Sequence, residues 1–101
     1  MIKNLKGNKN MKFAAGASFL FKMLESNTTI LELRLSGNKI ECNQCKFIGT
    51  ALETNKTLKT LNLSGNDIKN EGCEYIFNGL KKNESLESLD LRCKIWLMRF
   101  F

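Results

Sequence analysis

The chain of 101 residues is large enough for one domain, and its 43% hydrophobic and 26% charged residues are ordinary for a soluble protein. It contains no histidine, which excludes Ser-His and Cys-His nucleophile pairs, the usual general base and the commonest metal ligand. No apolar run approaches the roughly 18 residues that a membrane-spanning helix needs. We therefore expect a protein that is not an enzyme, holds no cofactor or metal, and does not cross a membrane.

The net charge of +6 is concentrated at the two ends of the chain. Residues 1–12 contain four lysines and residues 94–101 contain two basic residues, in both cases without an acid. Residues 13–93 carry ten basic and ten acidic side chains and are neutral. Nucleic-acid-binding surfaces normally collect their basic residues on one face of a folded unit. Solvated, lysine-rich ends are therefore favoured over a nucleic-acid site. Strongly salt-dependent binding would support the nucleic-acid site instead.

An internal repeat organises the chain, because residues 30–57 and 58–85 share ten identities when one segment is laid over the other. The first copies of these positions are Leu33, Leu35, Ser36, Gly37, Asn38, Ile40, Cys45, Ile48, Leu52 and Asn55. The same offset extends in both directions, so the units are predicted at about 2–29, 30–57, 58–85 and a truncated 86–101. The chain is thus expected to be a single domain, 1–101, of about 3.5 repeats.

The first unit, residues 2–29, follows the pattern only loosely. Gly7 stands where the second unit has Leu35, although Asn10 keeps the position of Asn38. The repeat offset also places Leu5 in the position of Leu33.

Each full unit is predicted to be a short strand followed by a helix. Leu61 and Leu63 alternate with period two, which is typical of a strand. Cys73, Ile76 and Leu80 then recur at the spacing of one helix face. Consecutive strands of this kind must be parallel and joined by right-handed crossovers. The six strand leucines should point into the core: Leu33, Leu35, Leu61, Leu63, Leu89 and Leu91.

The fourth unit begins in phase at Leu89 and Leu91 and then loses the pattern. Lys94 stands at the position of Asn66, where a lysine cannot accept a hydrogen bond. An apolar end beside an unprotected edge strand is typical of a surface that associates. We expect self-association through this C-terminal end; the alternatives are that residues 94–101 fold back as a cap, or that the chain is a fragment of a longer array.

The spacing L-x-x-L-x-L-x-x-N-x-I resembles the leucine-rich repeat, and the 28-residue length with an amphipathic helix resembles its ribonuclease-inhibitor-like class. Gly16 and Gly72 match a glycine that this class often has inside the helix, whereas Gln44 departs from it. The resemblance implies an α/β solenoid with a curved parallel sheet on the concave side and helices on the convex side. It implies a cytoplasmic protein-interaction module, or a scaffold or sensor fragment.

The alternative function within that class is a GTPase-activating protein or another catalytic regulator. Such a protein would have to offer a polar residue from a loop at one end of the strands. Arg34 lies on a predicted strand, and the corresponding loops of the two full units contain no arginine.

The outward side chains of the predicted strands are polar, mixed in charge and different between units, while the inward leucines stay constant. They are Glu32, Arg34, Ser36, Thr60, Asn62, Ser64, Ser88, Asp90 and Arg92. A varied polar array on a rigid scaffold suits recognition of a protein partner. The alternative is a solvated sheet face without a partner.

Two further sets of residues recur with the repeat. Asn38 and Asn66 follow the strands, where a buried amide can both donate and accept hydrogen bonds for the turning backbone. Phe19, Phe47 and Tyr75 form a column for which packing between helices is favoured over a cofactor or base-stacking role.

The four cysteines are predicted to be reduced thiols: Cys42, Cys45, Cys73 and Cys93. A zinc site would need histidines or a second close pair. Cys45 and Cys73 share the inner helix stripe, so we expect two small buried hydrophobic side chains.

Four Asn-x-Ser/Thr patterns, at Asn27, Asn55, Asn62 and Asn83, match the glycosylation signal. Three of them share the repeat phase. There the asparagine is expected to end the helix in the left-handed cap conformation, without a glycan.

Overall fold

Strands and helices alternate along the chain, as the change of periodicity within each unit predicts. The computed structural model describes residues 2–4 and 12–92. The elements are β1 (Ile2–Asn4), α1 (Lys12–Leu24), β2 (Glu32–Arg34), a 3-10 helix (Cys42–Gln44), α2 (Cys45–Thr54), β3 (Thr60–Asn62), α3 (Lys69–Leu80) and β4 (Ser88–Asp90).

The strands form one parallel sheet in the order β1-β2-β3-β4. Leu61 lies between Leu33 on one side and Leu89 on the other, so partners in these strands are one repeat length apart along the chain. Each of the first three strands is followed by a helix that carries the chain back to the start of the next strand, as parallel pairing requires. The predicted α/β architecture with parallel strands is confirmed.

The register of β1 differs from the predicted one. Lys3 pairs with Leu33, so the placement of Leu5 opposite Leu33 is wrong. Side chains alternate with period two along a strand, and these two registers, which differ by two positions, therefore keep the same faces. Gly7 stands at the position of Leu35, so the sequence of this unit contains little else that distinguishes the two registers.

The inward leucines and the inner faces of the helices form one core. Leu33, Leu61, Ile48 and Ile76 are at most 1% exposed, as predicted, and so is Leu63. The expectation that Leu80 would be equally buried is wrong, because it is half-buried. Leu89 and Leu91 point into the core, as predicted, and are also half-buried. All three lie in or directly after the last helix and strand of the described part of the chain, where no further unit packs over them.

Asn38 and Asn66 are buried, as predicted, and link neighbouring turns. The Oδ1 atom of Asn66 accepts hydrogen bonds from the backbone N–H groups of Asn38 and Ile40 in the preceding unit, at 2.9 and 3.0 Å. Its Nδ2 atom donates to the carbonyls of Leu35 and Leu63 at 3.0 and 2.9 Å. One amide thereby satisfies backbone groups of two successive turns, where the ladder of the sheet has ended.

A second set of asparagines acts in the same way at the other end of the strands. Asn55 Nδ2 donates to the carbonyls of Leu24 and Asn27 in the preceding unit, while its Oδ1 accepts from the N–H groups of Thr57 and Leu58. The corresponding contacts recur at Asn83.

The left-handed cap predicted for these asparagines is wrong. Asn55 has φ −74° and ψ 130°, which is extended, and the described non-glycine residues with positive φ are Lys39 and Lys69. The side-chain amide, rather than an unusual backbone conformation, selects asparagine here. Because Asn55 is 2% exposed and its amide nitrogen is bonded to two carbonyls, it is not a glycan acceptor in the folded chain.

Two glycines allow α2 and α3 to touch backbone to backbone. A Cβ atom on Gly79 would collide with the backbone of Gly49, and a Cβ atom on Gly49 would collide with the carbonyl oxygen of Tyr75. The distance between these helices is therefore set by the absence of side chains at both positions.

We expect Gly79→Ala to destabilise the fold, although a glycine-to-alanine change inside a helix normally adds about 1 kcal/mol of stability. The clash with the backbone of Gly49 should cost roughly 1–3 kcal/mol, as overpacking of a core does. Urea denaturation followed by circular dichroism measures this. Asn78→Ala, on the exposed side of the same helix, is the control and should be neutral or stabilising. A more stable Gly79→Ala protein would contradict the close contact.

Candidate functional site

The predicted polar face forms one open groove, of about 680 Å³, across β2, β3 and β4. Eight of the nine predicted residues line it together with two glycines: Arg34, Ser36, Gly37, Thr60, Asn62, Ser64, Gly65, Ser88, Asp90 and Arg92. Glu32, the ninth, is not among the lining residues but bonds to Arg34 beside them. We call this surface the strand groove.

The strand register explains why these side chains meet. Thr60 pairs with Glu32 and Ser88, and Asn62 pairs with Arg34 and Asp90. Paired residues of a parallel sheet point to the same face, so each row of the strand groove crosses three successive strands. Arg34 is exposed, as predicted, whereas Asn62 and Asp90 are half-buried on the same face.

Gly37 and Gly65 also line the strand groove, although they are not among the nine residues predicted for this face. Both lie in the turns after the strands with φ near 70°, a conformation that favours glycine. The signal that could have found them is the tetrapeptide Leu-Ser-Gly-Asn, which is identical in both full units.

Two ion pairs, each between residues two positions apart in the chain, neutralise the charges of this surface. Arg34 Nη2 lies 2.9 Å from Glu32 Oε2, and Arg92 makes a two-pronged contact with Asp90 through Nε and Nη2. Partial burial alone would raise the pKa of the Asp90 carboxyl, but hydrogen bonds from Arg92 outweigh it and lower that pKa below its ordinary value. Exposed pairs of this kind add at most about 1 kcal/mol to stability. The four charges sum to zero, so the surface does not select a partner by net charge.

Asn62, at the centre of the strand groove, has a fixed orientation. Its Oδ1 atom accepts from the backbone N–H of Ser64 at 3.0 Å and from the Ser64 hydroxyl at 2.8 Å. Among the residues described, no partner is found for its Nδ2 atom.

The cysteines of the described chain are free thiols, and Cys45 and Cys73 are buried, as predicted. Burial, together with the neighbouring Cys73 and Cys42, raises the pKa of the Cys45 thiol to about 12. Its Sγ donates to the carbonyl of Glu41 at 3.5 Å. Cys93 lies outside the described residues. Within residues 2–4 and 12–92, no three His, Cys, Asp or Glu side chains are placed to hold a metal ion.

We expect Cys45 and Cys73 to resist alkylation by iodoacetamide under native conditions, because the reactive thiolate at Cys45 is suppressed and both sulfurs are shielded. The half-buried Cys42 should react faster. The raised pKa means that the folded chain favours the neutral thiol of Cys45 over the thiolate. The stability that the neutral thiol contributes should therefore be lost as the pH rises from about 9 towards 12. Tandem mass spectrometry of labelled peptides reads each site. Equal labelling of all three thiols without denaturant would contradict the assignment.

The aromatic column lies on the surface, which corrects the prediction that it packs between helices. Phe19, Phe47 and Tyr75 are 80%, 42% and 37% exposed. Since α2 and α3 touch at Gly49 and Gly79, no room is left between them for an aromatic ring.

No helix in the described part of the chain is long and apolar enough to cross a bilayer. The loops that follow β2 and β3, residues 35–41 and 63–68, contain no arginine, so no observation there favours the catalytic-regulator alternative.

Comparison with known proteins agrees with this architecture. A family model described as "Leucine Rich repeat" matches residues 26–41 and 54–77. A solved structure of the leiomodin-1 actin-binding site 2 is similar with a TM-score of 0.82 and 25% sequence identity, covering 91% of this chain and 54% of that one. The chain therefore spans about half the length of the solved chain that it matches. No curated protein matches it. These findings identify leucine-rich repeats in the chain.

Proposed function

We propose that the chain is a cytoplasmic protein-interaction module of the ribonuclease-inhibitor-like class, a solenoid of about 3.5 repeats that binds a protein partner in the strand groove. The observation that carries this proposal is the convergence of eight polar side chains, from three in-register strands and the residues that directly follow them, on one open surface. Glu32 bonds to Arg34 beside them, and the leucines between the outward residues face the core. The outward ones are thus free to vary with a partner.

The similarity to an actin-binding domain makes actin the first partner to test. Cosedimentation with actin filaments compares the wild-type chain with Thr60→Arg, which places a bulky cation in the strand groove. Thr50→Arg, the same change on the exposed side of α2, is the matched control. We expect Thr60→Arg to weaken binding at least tenfold and Thr50→Arg to leave it unchanged. Equal binding by both variants would refute the strand groove as the site, and no sedimentation of the wild type would remove actin as the partner.

We further propose that a second copy of the chain covers the apolar end at β4. Leu89 and Leu91 are half-buried, whereas their counterparts Leu61 and Leu63 are at most 1% exposed. β4 is also the edge strand of the described sheet. A copy related by twofold symmetry presents the same leucines and the same edge, so both ends are covered at once. The predicted tail, 94–101, lies outside the described residues.

We expect the wild-type chain to sediment as a concentration-dependent dimer and Leu89→Lys to shift it towards monomer. Phe19→Lys, at an exposed aromatic residue remote from β4, should leave the dimer intact. Sedimentation velocity with circular dichroism as a folding check makes the measurement. A wild-type monomer that unfolds when residues 94–101 are removed would instead establish those residues as an intramolecular cap.

A further inference from the structure

We infer that the strand groove receives a carboxylate group of its protein partner, from an aspartate or glutamate side chain, above Asn62 and between Arg34 and Arg92. This inference rests on the proposed function and names the chemistry that the site recognises. It follows from an imbalance between hydrogen-bond donors and acceptors in the strand groove.

The side-chain oxygens of Asn62 and Asp90 are occupied by neighbouring residues of the chain. Asn62 Oδ1 accepts two hydrogen bonds from Ser64. Asp90 Oδ1 accepts from the backbone N–H and Nε of Arg92, and Asp90 Oδ2 accepts from Nε and Nη2 of the same residue. A partner that offers N–H donors therefore finds few free oxygens in this row.

The donors are in surplus. A guanidinium carries five N–H groups. Arg34 uses one of them, which donates to Glu32. Arg92 uses two, the single N–H of Nε and one N–H of Nη2, which donate to Asp90. The Asn62 Nδ2 group has no partner among the described residues, although its orientation is fixed by the bonds to Oδ1. Three side chains thus present unused N–H groups to one space.

The strand spacing makes these donors convergent. Arg34, Asn62 and Asp90 occupy one row of the sheet, and neighbouring strands lie about 4.8 Å apart, so β2 and β4 are separated by about 10 Å. Asn62 lies on the strand between Arg34 and Asp90, and Arg92, which bonds to Asp90, lines the same groove. A carboxylate offers two oxygens with about four acceptor sites and no donor, and so complements this arrangement.

A neutral amide is a poorer match, because its NH₂ group would face other donors. The ion pairs leave the surface without net charge, so selection relies on hydrogen-bond polarity rather than on long-range attraction. Binding of an isolated carboxylate should accordingly be weak and only modestly dependent on salt, in contrast to a polyanion site.

The probe is the blocked amino acid N-acetyl-glutamate methylamide, with the glutamine compound as the matched control. Two-dimensional NMR of the ¹⁵N-labelled chain follows the side-chain signals of Asn62, Arg34 and Arg92. We expect saturable shifts at these groups with a millimolar midpoint for the glutamate compound, and at least tenfold weaker effects for the glutamine compound. No saturable shift, equal effects of both compounds, or shifts confined to lysines would overturn the inference. Stronger binding of inorganic phosphate would replace it with a phosphate site.

Asn62→Asp provides an independent arm, because it keeps an oxygen for Ser64 and replaces the free amide nitrogen by a second oxygen. The glutamate-induced shifts at both arginines should weaken at least tenfold. Asn78→Asp, an equal charge change on the exposed side of α3, should leave them unchanged. If partner binding is lost in Thr60→Arg but retained in Asn62→Asp, the carboxylate inference fails while the proposed function stands. If neither variant weakens partner binding, the strand groove itself is not the site.

Discussion

Replacing Asn66 with alanine should lower the free energy of unfolding by roughly 3 kcal/mol or more. The change leaves the buried N–H groups of Asn38 and Ile40 without an acceptor, and an unsatisfied buried donor costs about 1–3 kcal/mol. It also removes the donors to the carbonyls of Leu35 and Leu63. Urea denaturation followed by circular dichroism gives the difference.

The control for this variant is Asn78→Ala, because Asn78 is exposed on α3 and alanine is the better helix former. Its free energy of unfolding should be equal to or above that of the wild type. If Asn66→Ala unfolded at the same urea concentration as the wild type, water would have to replace the lost amide. The asparagine at this position would then not be required for stability.

Leu61→Ala should destabilise the chain by about 2–5 kcal/mol through loss of buried contacts and creation of a cavity. Leu61 is fully buried in the centre of the sheet, between Leu33 and Leu89. Leu89→Ala is the matched comparison, since the same side chain is lost from the half-buried position of the next unit. It should cost clearly less. Equal losses, measured by chemical denaturation, would show that β4 is as well covered in solution as β3.

The parallel sheet and its two faces could be predicted because the leucines that define them obey a strict period. Leu33, Leu61 and Leu89 recur once in every repeat, and the residues beside them must then point to the opposite face. This reasoning places eight of nine predicted residues in the strand groove. It fails in β1, where few periodic residues remain and a shift of two positions changes no face.

Other features depend on contacts that a pattern does not contain. Asn55 follows a helix, which suggested a cap, but its amide bonds to the preceding unit and its backbone is extended. The exposure of Phe47 follows from the glycine contact between α2 and α3. The surplus of donors around Asn62 depends on which atoms the neighbouring side chains already occupy, and only side-chain positions reveal it.

The asparagine amides couple the opening of one unit to that of its neighbour. The amide of Asn66 holds the N–H groups of Asn38 and Ile40, and that of Asn83 holds the carbonyls of Leu52 and Asn55, so in each case a later unit secures the backbone of the earlier one. Fraying that starts at β4 therefore removes protection from residues one unit away. We expect the hydrogen-exchange rates of the Asn38 and Ile40 amides to report the opening of the following unit, and local unfolding to travel along the chain in steps of one repeat.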